Sequence, residues 1–124
     1  MISVVDNNLT ALLSLALDAA QMRQQAIAQN IANVNTPGYR RVSVSFEQRI
    51  AQLTRDGTGG AAQMPSYLSY YRPKIEYATG VEGPVQLDQE LADMSETVLH
   101  HQALLKALNK QLELIGLAIN EGKR

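Results

Sequence analysis

Between Leu91 and Ile119 apolar residues fall in alternating three- and four-residue steps: Leu91, Met94, Val98, Leu105, Leu108, Leu112, Ile115 and Ile119, with His101 the one polar member. A repeat averaging 3.5 residues fits a helix that lays one seam against another helix. Four heptads of it predict a long helix. Asp88 is the expected N-cap, Glu90 in the first turn favours the helix dipole, and Gly122, Lys123 and Arg124 form a stop with cations at the negative end. Leu99, Leu104, Leu114 and Leu117 lie off the seam. One partner helix cannot cover both sets, so these four leucines are candidate inter-subunit contacts.

The partner helix within the chain is expected over about Asn7–Asn33, a run without Pro or Gly that follows three candidate N-caps, Asp6, Asn7 and Asn8. Met1 to Val5 carries no helical pattern. Leu13, Ala20, Ile27 and Val34 recur every seven residues, opposite a Gln-rich face. The helix is expected to end in Asn30-Ile31-Ala32-Asn33-Val34-Asn35-Thr36-Pro37-Gly38-Tyr39. Pro37 fixes its own φ and biases Thr36 away from the helical region, while Gly38 accepts φ > 0, so Thr36–Tyr39 predicts a type II turn. Asn30, Asn33 and Asn35 either cap the last carbonyls or bridge to a neighbouring subunit.

Beyond the turn the character changes. Val42, Val44 and Phe46 alternate with polar residues and predict a short extended segment, followed by a helical turn or two up to Leu53. Asp56 to Ala62 is a Gly-rich linker, and Tyr67, Tyr70 and Tyr71 lie in an irregular or short-β stretch with rings available for contacts. The expected fold is mainly all-α: two long terminal helices packed as a coiled-coil-like pair around a partly irregular or short-β middle. Residues 1–39 form the first helix and its turn, 40–87 the variable middle, and 88–124 the heptad helix.

The 124 residues allow at most one domain of ordinary size, and a net charge of −1 offers no basic stripe for nucleic acid. Cysteine is absent, so there is no disulfide or thiolate chemistry. Leu9–Ala20 is apolar, but no basic residue precedes it and Asp18 interrupts it, which argues against a cleaved secretory leader. His100 and His101 are adjacent and point about 100° apart on a helix, so they cannot chelate one ion together. No phosphate loop and no nucleophile–base pairing stands out. The expectation is a non-enzyme with no cofactor, no metal, no small-molecule substrate and no nucleic-acid partner. Arg40 and Arg41 are either solvated or set against a partner's carboxylate.

Asn30, Ala32, Asn33 and Thr36-Pro37-Gly38-Tyr39 together resemble the N-terminal motif of bacterial flagellar axial proteins, the rod, hook and junction subunits. The C-terminal Val85-Gln86-Leu87-Asp88-Gln89-Glu90-Leu91-Ala92-Asp93-Met94, with Gln102-Ala103-Leu104, resembles the B-type basal-body rod proteins. His101 stands where Tyr is common, and Gly83-Pro84 replaces the usual Gly-Asn. The resemblance implies a structural subunit of the proximal rod, exported unfolded by the flagellar type III apparatus without a cleaved leader. It implies assembly in the periplasm with copies of itself, other rod subunits and the membrane-ring and export-gate junction proteins. A cytoplasmic coiled-coil adaptor or export chaperone would explain the heptads and the missing chemistry, but not Thr-Pro-Gly-Tyr.

Overall fold

The computed structural model describes residues 4–55, 72–80 and 83–122. Five elements follow one another: α1 (Val4–Ala32), β1 (Val42–Ser45), α2 (Glu47–Arg55), β2 (Lys74–Tyr77) and α3 (Leu87–Gly122). The two long helices pack together, and the sequence between them supplies a two-stranded sheet and a short helix. Asn30 of α1 meets Glu90 of α3, while Arg23 lines a groove with His100, so the helices run antiparallel. The Gly-rich linker and Tyr67, Tyr70 and Tyr71 lie outside the described residues.

Helix α1 holds two neighbours at close range because its buried face is small. Ala19, Ala20 and Ala26 are fully or almost fully buried, and Ile27 is buried beside them. On one side Ala19 and Ala26 pack with Val42, Val44 and Phe46, backed by Leu12, Leu15, Ala16, Met22 and Ile50. Val42, Val44 and Phe46 alternate inward, as a half-buried strand requires. Burying a Val or Phe side chain contributes about 1.5–3 kcal/mol, so these three residues fasten the strand to α1.

Helix α3 packs against α1 with a stripe offset from its most apolar one. Glu90 and Thr97 are buried, and Met94, His101, Leu104, Leu108, Gln111 and Ile115 are half-buried. These positions again alternate by four and three, but they share only Met94, His101, Leu108 and Ile115 with the expected seam. Leu91 is 51% exposed and Leu112 50%, with Val98, Leu105 and Ile119 also on the surface. Within this chain α1 therefore takes one flank of the heptad and leaves the other open. Leu13 is half-buried; of the four off-seam leucines, Leu104 is half-buried and Leu99, Leu114 and Leu117 are exposed.

Both long helices begin earlier than the local cap signals suggest. The first starts at Val4, so Asp6, Asn7 and Asn8 are interior residues, and Asn8 is buried. The last starts at Leu87, and Glu90 N–H donates to the Gln86 carbonyl at 3.0 Å. Gln86 is thus the capping position and Asp88 lies inside the first turn. The buried Val85 fixes the chain's approach, and Glu90 has to face α1, which sets the helix phase ahead of the better local cap.

At the other end of α1, Tyr39 N–H donates to the Thr36 carbonyl at 3.3 Å and Gly38 has φ +75°. Those are the bond and the dihedral that a type II turn needs. A Cβ on Gly38 would meet nothing within 4 Å. Any penalty for a side chain there is therefore backbone strain alone. Gly38→Ala is expected to lower stability by about 1–2 kcal/mol and Gly38→Val by more, measured by denaturant unfolding with unchanged m value. Equal stability for all three proteins would show that the turn does not need the left-handed conformation.

Candidate functional site

Asn30 sits in the last turns of α1 at 0% exposure, surrounded by polar partners. Its Nδ2 donates to the Val42 carbonyl at 2.9 Å, and its Oδ1 accepts the Val42 N–H at 2.9 Å. One carboxamide thus pairs both backbone groups of one strand residue, as a neighbouring strand would. The same Oδ1 accepts the Tyr39 hydroxyl at 2.8 Å, and Nδ2 also donates to Glu90 Oε2 at 3.3 Å. An asparagine offers two donors and an acceptor oxygen with two lone pairs. Here all four capacities are used.

Glu90 closes the network. It is 1% exposed, and its Oε1 accepts a very short contact from Arg41 Nε. Arg41 Nη2 reaches on to Asp93 Oδ2 at 3.4 Å. The buried carboxylate therefore has a charged donor on one oxygen and an amide on the other, which offsets its desolvation. Tyr39, at the end of the turn, reads as a neutral donor: burial raises its pKa above the usual phenol value, and the negative charge of Glu90 raises it further. The network ties α1, the turn, β1 and α3 at one point.

A second polar clamp lies one helical turn or two away. Arg23 forks onto Glu47 through Nη1 at 3.0 Å and Nη2 at 2.6 Å, and Nη2 also approaches the Val44 carbonyl at 3.4 Å. Burial tends to raise the Glu47 pKa, but the hydrogen bonds from Arg23 outweigh it and hold the carboxyl below its ordinary value. Between the two clamps, α1, β1 and α3 enclose an open groove of about 420 Å³ that includes Arg23, Ile27, Arg41, Glu47, Asp93 and His100. Four of its charged groups already pair with one another across the walls. No nucleophile and base are brought together, and among the described residues no three metal-ligating side chains cluster. What the arrangement does is hold elements in place.

The motif residues split between this network and the surface. Asn30 neither caps its own helix nor reaches outward: it clamps β1. Asn33 does work locally, its Nδ2 donating to the Gln29 carbonyl at 2.9 Å and its Oδ1 accepting the Thr36 hydroxyl at 3.1 Å. Ala32, Asn35, Thr36, Pro37 and Gly38 are exposed, beside a groove that the turn shares with Gly83, Pro84 and Val85. Arg41 is not simply solvated, because its carboxylate partners are on α3 of the same chain. Arg40 stacks on the Tyr77 ring at 4.2 Å from its centroid. Glu90, Asp93, Arg23 and Glu47 carry the clamps and were not singled out as site residues by the sequence pattern. The available signal was Glu90's place on the stripe that continues through Thr97, Leu104 and Gln111.

Comparison with known proteins follows the same residues. The family described as flagella basal body rod protein matches residues 13–40, which run from mid-α1 through the turn and include Asn30 and Tyr39. Flagellar basal body rod protein FlgB of Bacillus subtilis is 24% identical over 123 residues, covering 87% of this chain and 90% of the relative. Those of Escherichia coli, 28% identical over 79% and 83% of the two chains, and of Aeromonas hydrophila, 25% over 78% and 81%, align similarly. The chain is thus similar to flagellar basal body rod proteins over most of its length. The alignments cover 78–87% of this chain, well beyond the stretch that the family model matches.

Two measurements test the clamps. Asn30→Ala leaves the Val42 N–H and carbonyl and one Glu90 oxygen without their partner. It is expected to cost about 3 kcal/mol, well beyond a buried asparagine's packing alone. Asn30→Asp should also destabilise, since it sets a carboxylate against Glu90 and the Val42 carbonyl. If urea unfolding places Asn30→Ala within 0.5 kcal/mol or so of the parent, the clamp is not structural. The second test is acid titration. A lowered Glu47 pKa means stabilisation that is present above the ordinary value of 4.5 and lost as pH falls through the folded value. The stability gap between the parent and Glu47→Gln should therefore close on going from about pH 6 to about pH 3. A gap that stays constant would remove the charge from the argument.

Proposed function

We propose that this chain is a structural subunit of the proximal rod of the bacterial flagellar basal body. The carrying observation is similarity to basal body rod proteins over 79–87% of a chain whose polar residues are built into a structural clamp. In this reading the subunit assembles with copies of itself and with other rod subunits into a hollow shaft. It joins them to the membrane-ring and export-gate junction proteins at the base. It reaches the periplasm unfolded, through the flagellar type III apparatus, without loss of a leader.

The open flank of α3 supports assembly through that helix. Leu91, Ser95, Val98, Gln102, Leu105, Asn109, Leu112, Gly116 and Ile119 lie along it without a single charged residue. An uncharged stripe of four heptads exposed on one subunit is what a neighbouring helix covers in an assembly. A shaft that transmits torque gains from many such contacts repeated by helical symmetry, which heterologous interfaces supply. In the same reading Leu99, Leu114 and Leu117 face further neighbours, and Leu104 contributes on the α1 side.

Locating the protein in purified basal bodies tests the reading. The expected result is its presence in the rod, with deletion giving cells that lack a rod and do not swim. A soluble cytoplasmic complex without rod incorporation would replace the reading with an adaptor or chaperone. A pair of variants separates folding from assembly. Leu108→Asp puts a charge against α1 and should lower helicity of the isolated protein. Leu112→Asp lies on the open flank and should leave its circular dichroism unchanged while abolishing rod assembly. Swimming cells carrying Leu112→Asp would reject the flank as an interface.

A further inference from the structure

The two edges of the sheet are treated differently by the rest of the chain. Ala78 N–H donates to the Arg41 carbonyl at 2.9 Å, just outside the Val42–Tyr77 pair. In the antiparallel pattern this makes Val42–Tyr77 and Val44–Ile75 the non-hydrogen-bonded pairs. The backbone N–H and carbonyl groups of Val42, Val44, Ile75 and Tyr77 therefore point away from the partner strand. On the β1 side Asn30 takes both groups of Val42 and Arg23 approaches the Val44 carbonyl. That edge is closed. On the β2 side no described residue takes the corresponding groups of Ile75 or Tyr77, whose side chains are 41% and 58% exposed. Beside them lies an open cavity of about 560 Å³ bounded by Gln29, Tyr39 and Arg40.

We propose that β2 is a pairing edge whose occupant is β2 of a second copy of this chain, giving a two-fold, four-stranded antiparallel sheet. The sequence of the edge selects the register. The two-fold axis can fall on Ile75, on Tyr77, or between them at Glu76, and the Glu76-centred register sets the two Glu76 carboxylates directly opposite each other, which like-charge repulsion opposes. Centred on Ile75, each Lys74 stands opposite the second copy's Glu76 and each Glu76 opposite its Lys74. Centred on Tyr77, Glu76 faces Ala78 and no charge pair forms. The Ile75-centred register exchanges two bonds between the Ile75 residues. It adds one bond from each Tyr77 N–H to the second copy's Pro73 carbonyl. Pro73 has no N–H to offer, which suits its place at the strand's outer end. Opposite charges directly across a strand pair stabilise it, and like charges oppose it. With β1 closed by Asn30, copies cannot join β1 to β2 in an endless sheet.

This pairing goes beyond the rod reading and does not rest on it. It does have a consequence there: a two-fold contact cannot repeat along a polar shaft, so the pair is a form the subunit takes outside the rod. Four residues per strand bury far less than a standard interface of about 1,600 Å², so the association is weak.

Sedimentation equilibrium on the full chain, up to about millimolar concentration, is the test. The parent should show a monomer–dimer equilibrium. Glu76→Lys, which sets two lysines opposite each other twice, should weaken dimerisation by about tenfold or more. The double variant Lys74→Glu with Glu76→Lys should restore it to near the parent value. Circular dichroism of each protein controls for folding. A parent that stays monomeric throughout overturns the proposal. So does a dimer indifferent to Glu76→Lys, which would place association on α3 instead. Failure of the double variant to recover, with its fold intact, overturns the register. Pairing of β2 with a different rod subunit, detected from a single Ile75→Cys in a chain without other cysteines, rejects the second copy as occupant.

Discussion

The whole arrangement turns on one carboxamide replacing one strand. A two-stranded sheet leaves an edge of unpaired backbone groups, and an edge facing a helix cannot be satisfied by that helix's own backbone. Asn30 solves this by presenting a donor and an acceptor to Val42 at the same spacing a strand residue would. Glutamine has the same carboxamide, but its longer stem would displace the pair outward. Aspartate lacks the donor. A hydrophobic residue would leave both Val42 groups buried and unpaired, at about 1–3 kcal/mol each. Because Asn30 also receives Tyr39 and donates to Glu90, the position of β1 is linked to the turn before it and to α3.

Burying Glu90 beside Asn30 costs solvation and gives back little net energy, as buried ion pairs generally do. Its contribution is to orientation. Two helices with seven-residue repeats can slide or rotate against each other with modest loss of contact. A carboxylate that must meet Arg41 on one oxygen and Asn30 on the other permits one rotation of α3 and one axial position. That rotation is the one that turns Leu91, Val98, Leu105, Leu112 and Ile119 away from α1. The polar network thus decides which apolar face the chain keeps and which it leaves open.

The parts legible in the sequence were those with a local period. Heptads marked α3, a Gly- and Pro-free run marked α1, and Val42, Val44 and Phe46 marked β1. Thr-Pro-Gly placed the turn because its chemistry is confined to four residues. The clamp was not legible, because its partners are 12 residues apart in one case and 60 in another. Glu90 had a sufficient local explanation in the dipole of its helix, and Asn30 had one in helix termination. Asp6, Asn7, Asn8 and Asp88 offered good caps that the fold did not use, and at α3 the buried Val85 and Glu90 fixed the helix start instead. Local signals fail where a residue has both a plausible near partner and a stronger distant one.

The same contrast separates the two ends of the molecule. Near the turn, α1, β1 and α3 are joined by Asn30, Glu90, Arg41, Arg23 and Glu47, side chains with defined donors and acceptors. Toward the far end, among the described residues, α3 offers α1 mainly the half-buried aliphatics Leu104, Leu108 and Ile115, alongside the polar Gln111 of α3 and the buried Asn8 of α1, and the longer helix carries exposed leucines on its remaining faces. Hydrogen-bonded polar contacts tolerate little change in geometry, whereas aliphatic contacts tolerate sliding and repacking. The clamped end therefore carries its own geometry, while the aliphatic stretch of the helix pair leaves more room for repacking. The clamp sets the angle at which the two-stranded sheet leaves the helix pair, because Asn30, Arg41 and Glu90 fix β1 to both helices at once.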